Sequence, residues 1–103
     1  MYARVATFES STPESMRTAA EGIRARAASG PPEGVPSTGF TLLFDADRGR
    51  GLAIGLFETE EDLRQGDEVL NSMDPPVEGM GRRVSVETFE VAVDVRMASQ
   101  AKR

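Results

Sequence analysis

The sequence predicts a single α+β domain in which the order strand, helix, strand occurs twice. In each half, an apolar run closes with Phe-Glu, at Phe8-Glu9 and at Phe57-Glu58, and a helical pattern follows it. Both helical patterns end at a proline pair, Pro31-Pro32 and Pro75-Pro76. Another apolar run comes after each proline pair. The resulting βαββαβ order predicts a ferredoxin-like antiparallel sheet, strand order 4-1-3-2, with both helices on one face.

The length of the chain limits its domain organisation. A chain of 103 residues can build one hydrophobic core. We expect one domain over residues 1–97 and a flexible tail over residues 98–103. The hydrophobic content of 39% and charged content of 28% are typical of a globular protein. A core of this size is modest, which favours self-association as a way to bury more apolar surface.

The first strand is expected from Ala3 to Glu9, and the first helix from Pro13 to Ala28. Thr12 or Ser11 can cap this helix, and proline suits the first helical position. One apolar stripe follows the helical spacing and is expected to be buried: Met16, Ala19, Ala20, Ile23 and Ala27.

The middle strands are expected over Phe40–Asp45 and Gly51–Glu58, with a polar loop between them. Two aspartates in this region have the spacing of a calcium loop. However, Arg50 and Leu56 occupy the positions that such a loop gives to glycine and glutamate. A phosphate-binding loop does not fit either, because the glycines lie between two strands. We therefore interpret the loop as a hairpin and predict no metal site.

The second helix is expected from Thr59, where Asp62 completes a variant capping box, to Asp74. Acids in its first turn match the positive end of the helix dipole, with a hard-cation site as the alternative. Gly66 lies in the apolar stripe, where it allows either close packing on the sheet or a recess for a ligand. The last strand is expected from Arg83 to Val95.

Several strands are apolar on both faces, which one layer of helices does not explain. The last strand also changes the phase of its alternation between Thr88 and Phe89, which indicates a bulge or burial of both faces. A sheet with helices on one side only should alternate cleanly. We therefore expect a second copy of the protein to cover the other face, giving a homodimer.

Charge and residue inventory exclude several functions. A net charge of −5 argues against a nucleic-acid partner. No apolar run approaches the roughly 20 residues that span a bilayer, so we expect no membrane partner. Without a recognisable leader, a cytoplasmic location is the expectation. The chain lacks cysteine, histidine and tryptophan, which removes thiolate and imidazole chemistry and leaves catalytic residues unassigned. We expect no cofactor.

Arg4 is the charged residue that stands out, because it lies in an otherwise apolar strand. It is expected either to form a salt bridge with Glu87 or Glu90, or to anchor an acidic or carbonyl group of a ligand. Aromatic and methionine side chains are core by default, and some of them are candidates to line a pocket between helices and sheet. The predicted ligand-binding residues are Arg4, Phe8, Met16, Phe44, Phe57 and Met73.

The stretch GRGLAIGLFETEEDLRQGDEVL, residues 49–70, resembles the third strand and second helix of the dimeric α/β-barrel superfamily. This superfamily includes antibiotic biosynthesis monooxygenase-like proteins. In it an apolar strand ends in an aromatic residue, an acid and Ser or Thr, and a helix then opens with acids; residues 57–63 match this pattern. The resemblance implies a homodimer whose sheets face each other inside a barrel, with the helices outside.

The resemblance also implies a range of functions. Some members are cofactor-free oxygenases, some degrade haem and some isomerise lactones. The haem-degrading members rely on a histidine and a tryptophan, and neither residue type is present here. We expect a homodimer that binds a small apolar or aromatic molecule between helices and sheet. The alternatives are a cofactor-independent monooxygenase-like or isomerase-like enzyme, with Arg4 orienting the substrate, and a structural or interaction dimer without a ligand.

Overall fold

A computed structural model describes residues 1–72, 80–95 and 97 of the chain. Its elements are β1 (Tyr2–Glu9), α1 (Pro13–Ala27), β2 (Gly39–Asp45), β3 (Arg50–Phe57), α2 (Glu60–Ser72) and β4 (Arg82–Glu90), with a short 3₁₀ turn at Ala46–Arg48. The strands form one antiparallel sheet in the order β2-β3-β1-β4. This is the expected order, counted from the other edge, and the ferredoxin-like α+β fold is confirmed.

The register of the strands divides the sheet into two faces. Residues directly opposite each other on neighbouring strands point to the same face. Phe8 is opposite Gly51 and Tyr2 is opposite Phe57, and all of them lie on the helix side. The alternate residues lie on the other side, which we name the open face. Its side chains include Val5, Leu43, Leu52, Ile54, Leu56 and Phe89.

Two apolar clusters fill the space between helices and sheet. One contains Ala6, Phe8, Met16, Ala19 and Met80. The other contains Val35, Phe57 and Leu63, with Tyr2, Val69 and Leu70 packed against it. The first lies under α1 and the second under α2, so each helix is held to the sheet by its own cluster.

The helix starts follow the capping chemistry in the sequence. The Oγ1 of Thr12 accepts a hydrogen bond from the Ser15 N–H at 3.1 Å, and the Oγ1 of Thr59 accepts one from the Asp62 N–H at 3.0 Å. In the α1 stripe, Met16 and Ala19 are buried as expected. Ala27 is exposed instead, because it lies in the last turn of the helix. The expected end of α2 at Asp74 lies outside the described residues.

The loop between β2 and β3 contains a short 3₁₀ turn, Ala46–Arg48. The Oδ1 of Asp45 accepts a hydrogen bond from the Arg48 N–H at 3.3 Å, which caps the 3₁₀ turn. Gly49 then ends the turn in the left-handed region, with φ of 65°. Glycine suits this position, because a residue without a Cβ adopts positive φ without a steric penalty.

The last strand is shorter than the sequence predicts. β4 ends at Glu90 rather than Val95, where its pairing with β1 stops, and one further bond joins the Val91 N–H to the Met1 carbonyl at 2.9 Å. The register shifts between Thr7 and Phe8, opposite the start of β4. The change of phase at Thr88 therefore has a different cause: β4 carries apolar residues on both faces.

The expectation that all five phenylalanines are core is correct for two of them. Phe8 and Phe57 are fully buried on the central strands. Phe40, Phe44 and Phe89 are exposed. These three lie on the edge strands β2 and β4, where no neighbouring strand shields the outer side.

Candidate functional site

One row of residues crosses the helix side of the sheet between the two core clusters. Phe40 of β2 is opposite Gly55 of β3, Gly55 is opposite Arg4 of β1, and Arg4 is opposite Thr88 of β4. The row therefore contains one buried cation, one residue without a side chain and one exposed phenyl ring. It separates the cluster under α1 from the cluster under α2.

Arg4 is buried and receives both of its described partners from α2. Its Nε donates to the Oδ1 of Asp67 at 2.8 Å, and its Nη2 donates to the Oδ1 of Asn71 at 2.9 Å. The side chain of Arg4 is only 6% exposed, whereas that of Asp67 is 31% exposed. The prediction that Arg4 forms a salt bridge with Glu87 or Glu90 is wrong. The register places the former opposite Val5 and the latter opposite Tyr2, so neither is next to Arg4 in the sheet.

The pairing of Arg4 with α2 follows from the geometry of a helix. Asp67 and Asn71 are four residues apart and share one helix face. They lie beside the apolar stripe of α2, so this face meets the sheet directly above β1. Sequence reasoning missed both residues. The available signal was a pair of polar side chains at helical spacing next to Gly66 and Leu70.

Three of the predicted ligand-binding residues are packed in the core. Phe8 and Met16 belong to the cluster under α1, and Phe57 belongs to the cluster under α2. All three are fully buried. All three lie on the helix side of the sheet, as Arg4 does, but they are divided between the two apolar clusters. Met73 lies outside the described residues.

Gly66 allows close packing, which decides between the two interpretations of this residue. A Cβ at this position would lie 2.5 Å from Cε2 of Phe57 and 3.3 Å from Cγ1 of Val35. The space beside the glycine is therefore filled by the aromatic ring that anchors α2. Gly51 is similar, because the methyl groups of Met16 and Met80 occupy the space next to it.

Phe44, another of the predicted residues, belongs to an exposed apolar surface on the helix side of β2. Phe40, Leu42 and Phe44 point to this side, and we name them the aromatic shelf. Leu42 packs against the cluster under α1. Phe40 and Phe44 are 49% and 42% exposed. The shelf thus continues the core outward to a surface that the helices do not cover.

The remaining described surface carries no further group of predicted site residues. An open groove of about 450 Å³ runs along α1 and is lined by Pro13, Glu14, Arg17, Thr18 and Glu21, none of which is a predicted site residue. Among the residues that the structure describes, no three Asp or Glu side chains come together in a way that could hold a metal ion. Within the same residues, neither helix has the length and apolar character to cross a membrane.

No family model and no curated protein matches the chain. Among solved structures, the chain is similar to a variant of MhuD crystallised with two manganese protoporphyrin IX molecules bound per active site. The match covers 94% of this chain and 100% of that chain, with a TM-score of 0.57 and 20% sequence identity. The shared property is the fold. This agrees with the fold that the sequence resemblance implies.

Proposed function

We propose that this protein is a homodimer that binds a small apolar or aromatic molecule on the helix side of its sheet. The observation that carries the proposal is the aromatic shelf. Two phenyl rings, Phe40 and Phe44, are exposed on either side of Leu42, which is partly buried and packs against the cluster under α1. A group of exposed apolar side chains on one face is typical of a binding surface.

The row through Arg4 defines the polar requirement of the proposed ligand. Neighbouring strands lie about 4.8 Å apart, so the backbones of Phe40 and Arg4 are about 10 Å apart. Gly55 lies between them and contributes no side chain. A ligand with one or two aromatic rings has this length. We propose that its rings stack on the shelf and that an acceptor group points towards the guanidinium of Arg4.

The structural neighbour supports a flat aromatic ligand. MhuD is described with two manganese protoporphyrin IX molecules per active site, so a chain with this fold can accommodate large planar rings. In this chain, the helix–sheet space is filled by Phe8, Met16 and Phe57. We therefore propose a smaller ligand, bound nearer the edge of the sheet.

The open face supports the homodimer. Val5, Leu52, Ile54 and Leu56 form a continuous apolar surface at its centre, and all four are only partly buried. Leu43 and Phe89 extend the surface to both edges and are exposed. Two such faces stacked on each other would bury this surface at the usual separation of packed sheets. A cytoplasmic location, expected from the sequence, is part of the same proposal.

Fluorescence titration tests the ligand proposal. We expect a neutral naphthalene-type probe to bind the unmodified protein in a saturable manner, and the double variant F40A/F44A to lose about tenfold or more in affinity. The matched control is Phe89→Ala, which removes an equally exposed phenyl ring from the open face. Equal binding by F40A/F44A and the unmodified protein would contradict the proposal. Absence of saturable binding would favour a structural dimer.

A second candidate function is the cofactor-independent monooxygenase-like or isomerase-like enzyme. The observation that favours it is the buried guanidinium of Arg4, fixed in position by Asp67 and Asn71. Such a group can stabilise negative charge that develops on a bound phenol or enol. Uptake of oxygen in the presence of a reduced polycyclic phenol, abolished in Arg4→Met while probe binding persists, would establish this function. Binding of the phenol without uptake of oxygen would contradict the enzyme and leave ligand binding as the function.

A further inference from the structure

The charge of the buried guanidinium of Arg4 is matched by one carboxylate. Its Nε donates to the Oδ1 of Asp67 at 2.8 Å, and this is the salt bridge that Arg4 forms with the described residues. Its other described hydrogen bond, from Nη2 to the Oδ1 of Asn71, goes to a neutral amide. One cation and one anion therefore lie together, and their charges cancel.

The neighbours of Arg4 in the sheet add no net charge to this pair. The register places Gly55 on one side of Arg4 and Thr88 on the other. A glycine has no side chain, and the hydroxyl of a threonine is neutral. Further along β4 lie one acid and one base, Glu90 and Arg83, whose charges offset each other. The carboxylate bonded to Arg4 therefore determines whether its surroundings attract or repel an anion.

Further N–H donors lie beside this neutral pair. A guanidinium carries five N–H donors, and the bonds from Arg4 to the described residues use two of them. Asn71 accepts with its carbonyl oxygen, so its amide N–H groups are still donors. The surroundings of Arg4 thus offer N–H groups to a ligand without a net positive charge.

Gly55 leaves space between the aromatic shelf and Arg4. Among the described residues beyond its neighbours in the chain, a Cβ at Gly55 would meet only the ring of Phe57, at 3.4 Å from Cε1 and 3.7 Å from Cζ. These are ordinary van der Waals contacts. A planar ligand group over Gly55 would therefore rest against an aromatic ring and face the guanidinium of Arg4.

We propose that Asp67 makes this site selective for aromatic ligands with an uncharged acceptor, such as a ketone, quinone or phenol, over aromatic carboxylates. The inference rests on the proposed function and specifies the class of its ligand. An uncharged oxygen accepts from the N–H groups while Arg4 keeps its carboxylate. A ligand carboxylate would bring a second negative charge close to Asp67, and like charges repel strongly where little water screens them.

Fluorescence titration with two probes of the same shape tests this selectivity. The probes are acetylnaphthalene, a neutral ketone, and the naphthoate with its carboxylate at the same ring position. At neutral pH we expect the unmodified protein to bind the ketone about tenfold or more tightly than the naphthoate. The ratio of the two affinities is measured on one sample, so it does not depend on the stability of the fold. Equal affinities would overturn the proposal.

Two substitutions on α2 should move this ratio in opposite directions. Asp67→Asn keeps an acceptor for Arg4 but removes the charge, so naphthoate should bind about tenfold more tightly and the ketone should change by less than about threefold. Asn71→Asp adds a second carboxylate beside the guanidinium, so naphthoate should bind about tenfold less tightly. The control Glu68→Gln removes an exposed carboxylate from the same helix and should leave the ratio unchanged.

The outcomes separate this inference from the proposed function. Where both probes bind but the α2 variants change their ratio no more than Glu68→Gln does, the role of Asp67 is overturned and ligand binding stands. Asn71→Asp keeps the ion pair of Arg4 intact, so it provides the same test even if Asp67→Asn does not fold. Saturable binding of neither probe would overturn the proposed function together with this inference.

Discussion

Arg4 joins β1 to α2 through hydrogen bonds to Asp67 and Asn71. Its guanidinium is buried under the helix and is compensated by one carboxylate, that of Asp67, and one amide oxygen, that of Asn71. A buried charge that loses its partner is costly, whereas replacement of the charge itself by an apolar side chain often costs little. The two sides of this ion pair therefore respond differently to substitution.

Removal of Asp67 should destabilise the protein more than removal of Arg4. We expect Asp67→Ala to lower the free energy of unfolding by about 2 kcal/mol, because Arg4 stays buried without its carboxylate. Arg4→Met should lower it by less, since no unpaired buried charge remains. Urea denaturation measures both. The control is Arg48→Ala, which breaks the exposed Arg48–Asp45 pair and should change stability by less than about 0.5 kcal/mol. Equal losses in Asp67→Ala and Arg48→Ala would contradict this account.

The partner of Arg4 could not be predicted from local sequence, although its need for a partner could. A charged side chain among apolar ones in a strand implies compensation, but Asp67 is 63 residues away along the chain. Glu87 and Glu90 are closer candidates by strand order, because they lie on the strand adjacent to β1. The register places Glu87 on the open face and Glu90 opposite Tyr2, whereas the guanidinium of Arg4 reaches Asp67 and Asn71 on α2.

At the scale of the elements, the helix starts were predictable and the packing of α2 was not. Thr12, Pro13 and Thr59 carry local chemistry that depends on a few neighbouring residues. Gly66 was ambiguous, because a glycine in an apolar stripe serves close packing and an open recess equally well. The ring of Phe57 decides in favour of close packing.

Two glycines in helices should respond in opposite directions to the same substitution. Gly66→Ala gains about 1 kcal/mol of helix propensity but forces a Cβ against Phe57, so we expect a net loss of stability of about 1 kcal/mol. Gly22→Ala in α1 meets nothing within 4 Å and should stabilise the protein by about 0.5–1 kcal/mol. Thermal or urea denaturation distinguishes the two. Stabilisation by both substitutions would show that α2 does not pack tightly on Phe57.

The loop before β3 should be intolerant of a side chain at Gly49. The φ of Gly49 is positive, and a Cβ at this position would collide with the carbonyl oxygen of Ser11. The two residues are held close together, because the Ser11 N–H donates a hydrogen bond to the Gly49 carbonyl at 3.2 Å. We expect Gly49→Ala to cost about 3 kcal/mol. Gly30→Ala is the control, because Gly30 also has positive φ but open space around it, and should cost about 1 kcal/mol. Equal costs would mean that the collision is relieved by movement of the loop.

The end of β4 illustrates what element-level patterns leave out. The alternation of valines beyond Glu90 predicts a strand to Val95. A strand, however, needs a neighbour, and the pairing of β4 with β1 stops at Tyr2. The alternation therefore describes an extended preference of the residues after Glu90, and the length of the neighbouring strand β1 decides where β4 ends.

At the scale of the whole molecule, the open face is the feature that a single chain does not explain. The sequence shows that several strands carry apolar residues on both faces. In the structure, the helices cover one of these faces and leave the other uncovered. The fold could be predicted because element order and strand parity are local properties repeated along the chain. The position of the shelf could not, because the sequence pattern does not show how much of β2 the helices leave uncovered, and the exposure of Phe40 and Phe44 depends on that.

A charge at the centre of the open face should separate the two copies. Ile54 is opposite Val5 and Thr41, on that face. Lysine is tolerated at a solvent-facing position of a single chain but is costly in the buried centre of an interface. We expect Ile54→Lys to be monomeric with an unchanged circular dichroism spectrum, and the control Ile54→Val to stay dimeric. A dimeric Ile54→Lys would place the interface elsewhere.

The association of two copies through the open face is the central claim, and sedimentation equilibrium of the unmodified chain tests it most directly. The account predicts one species with twice the mass of the chain at micromolar concentration. A species with the mass of one chain under the same conditions would contradict it, because the apolar open face would then be exposed to water.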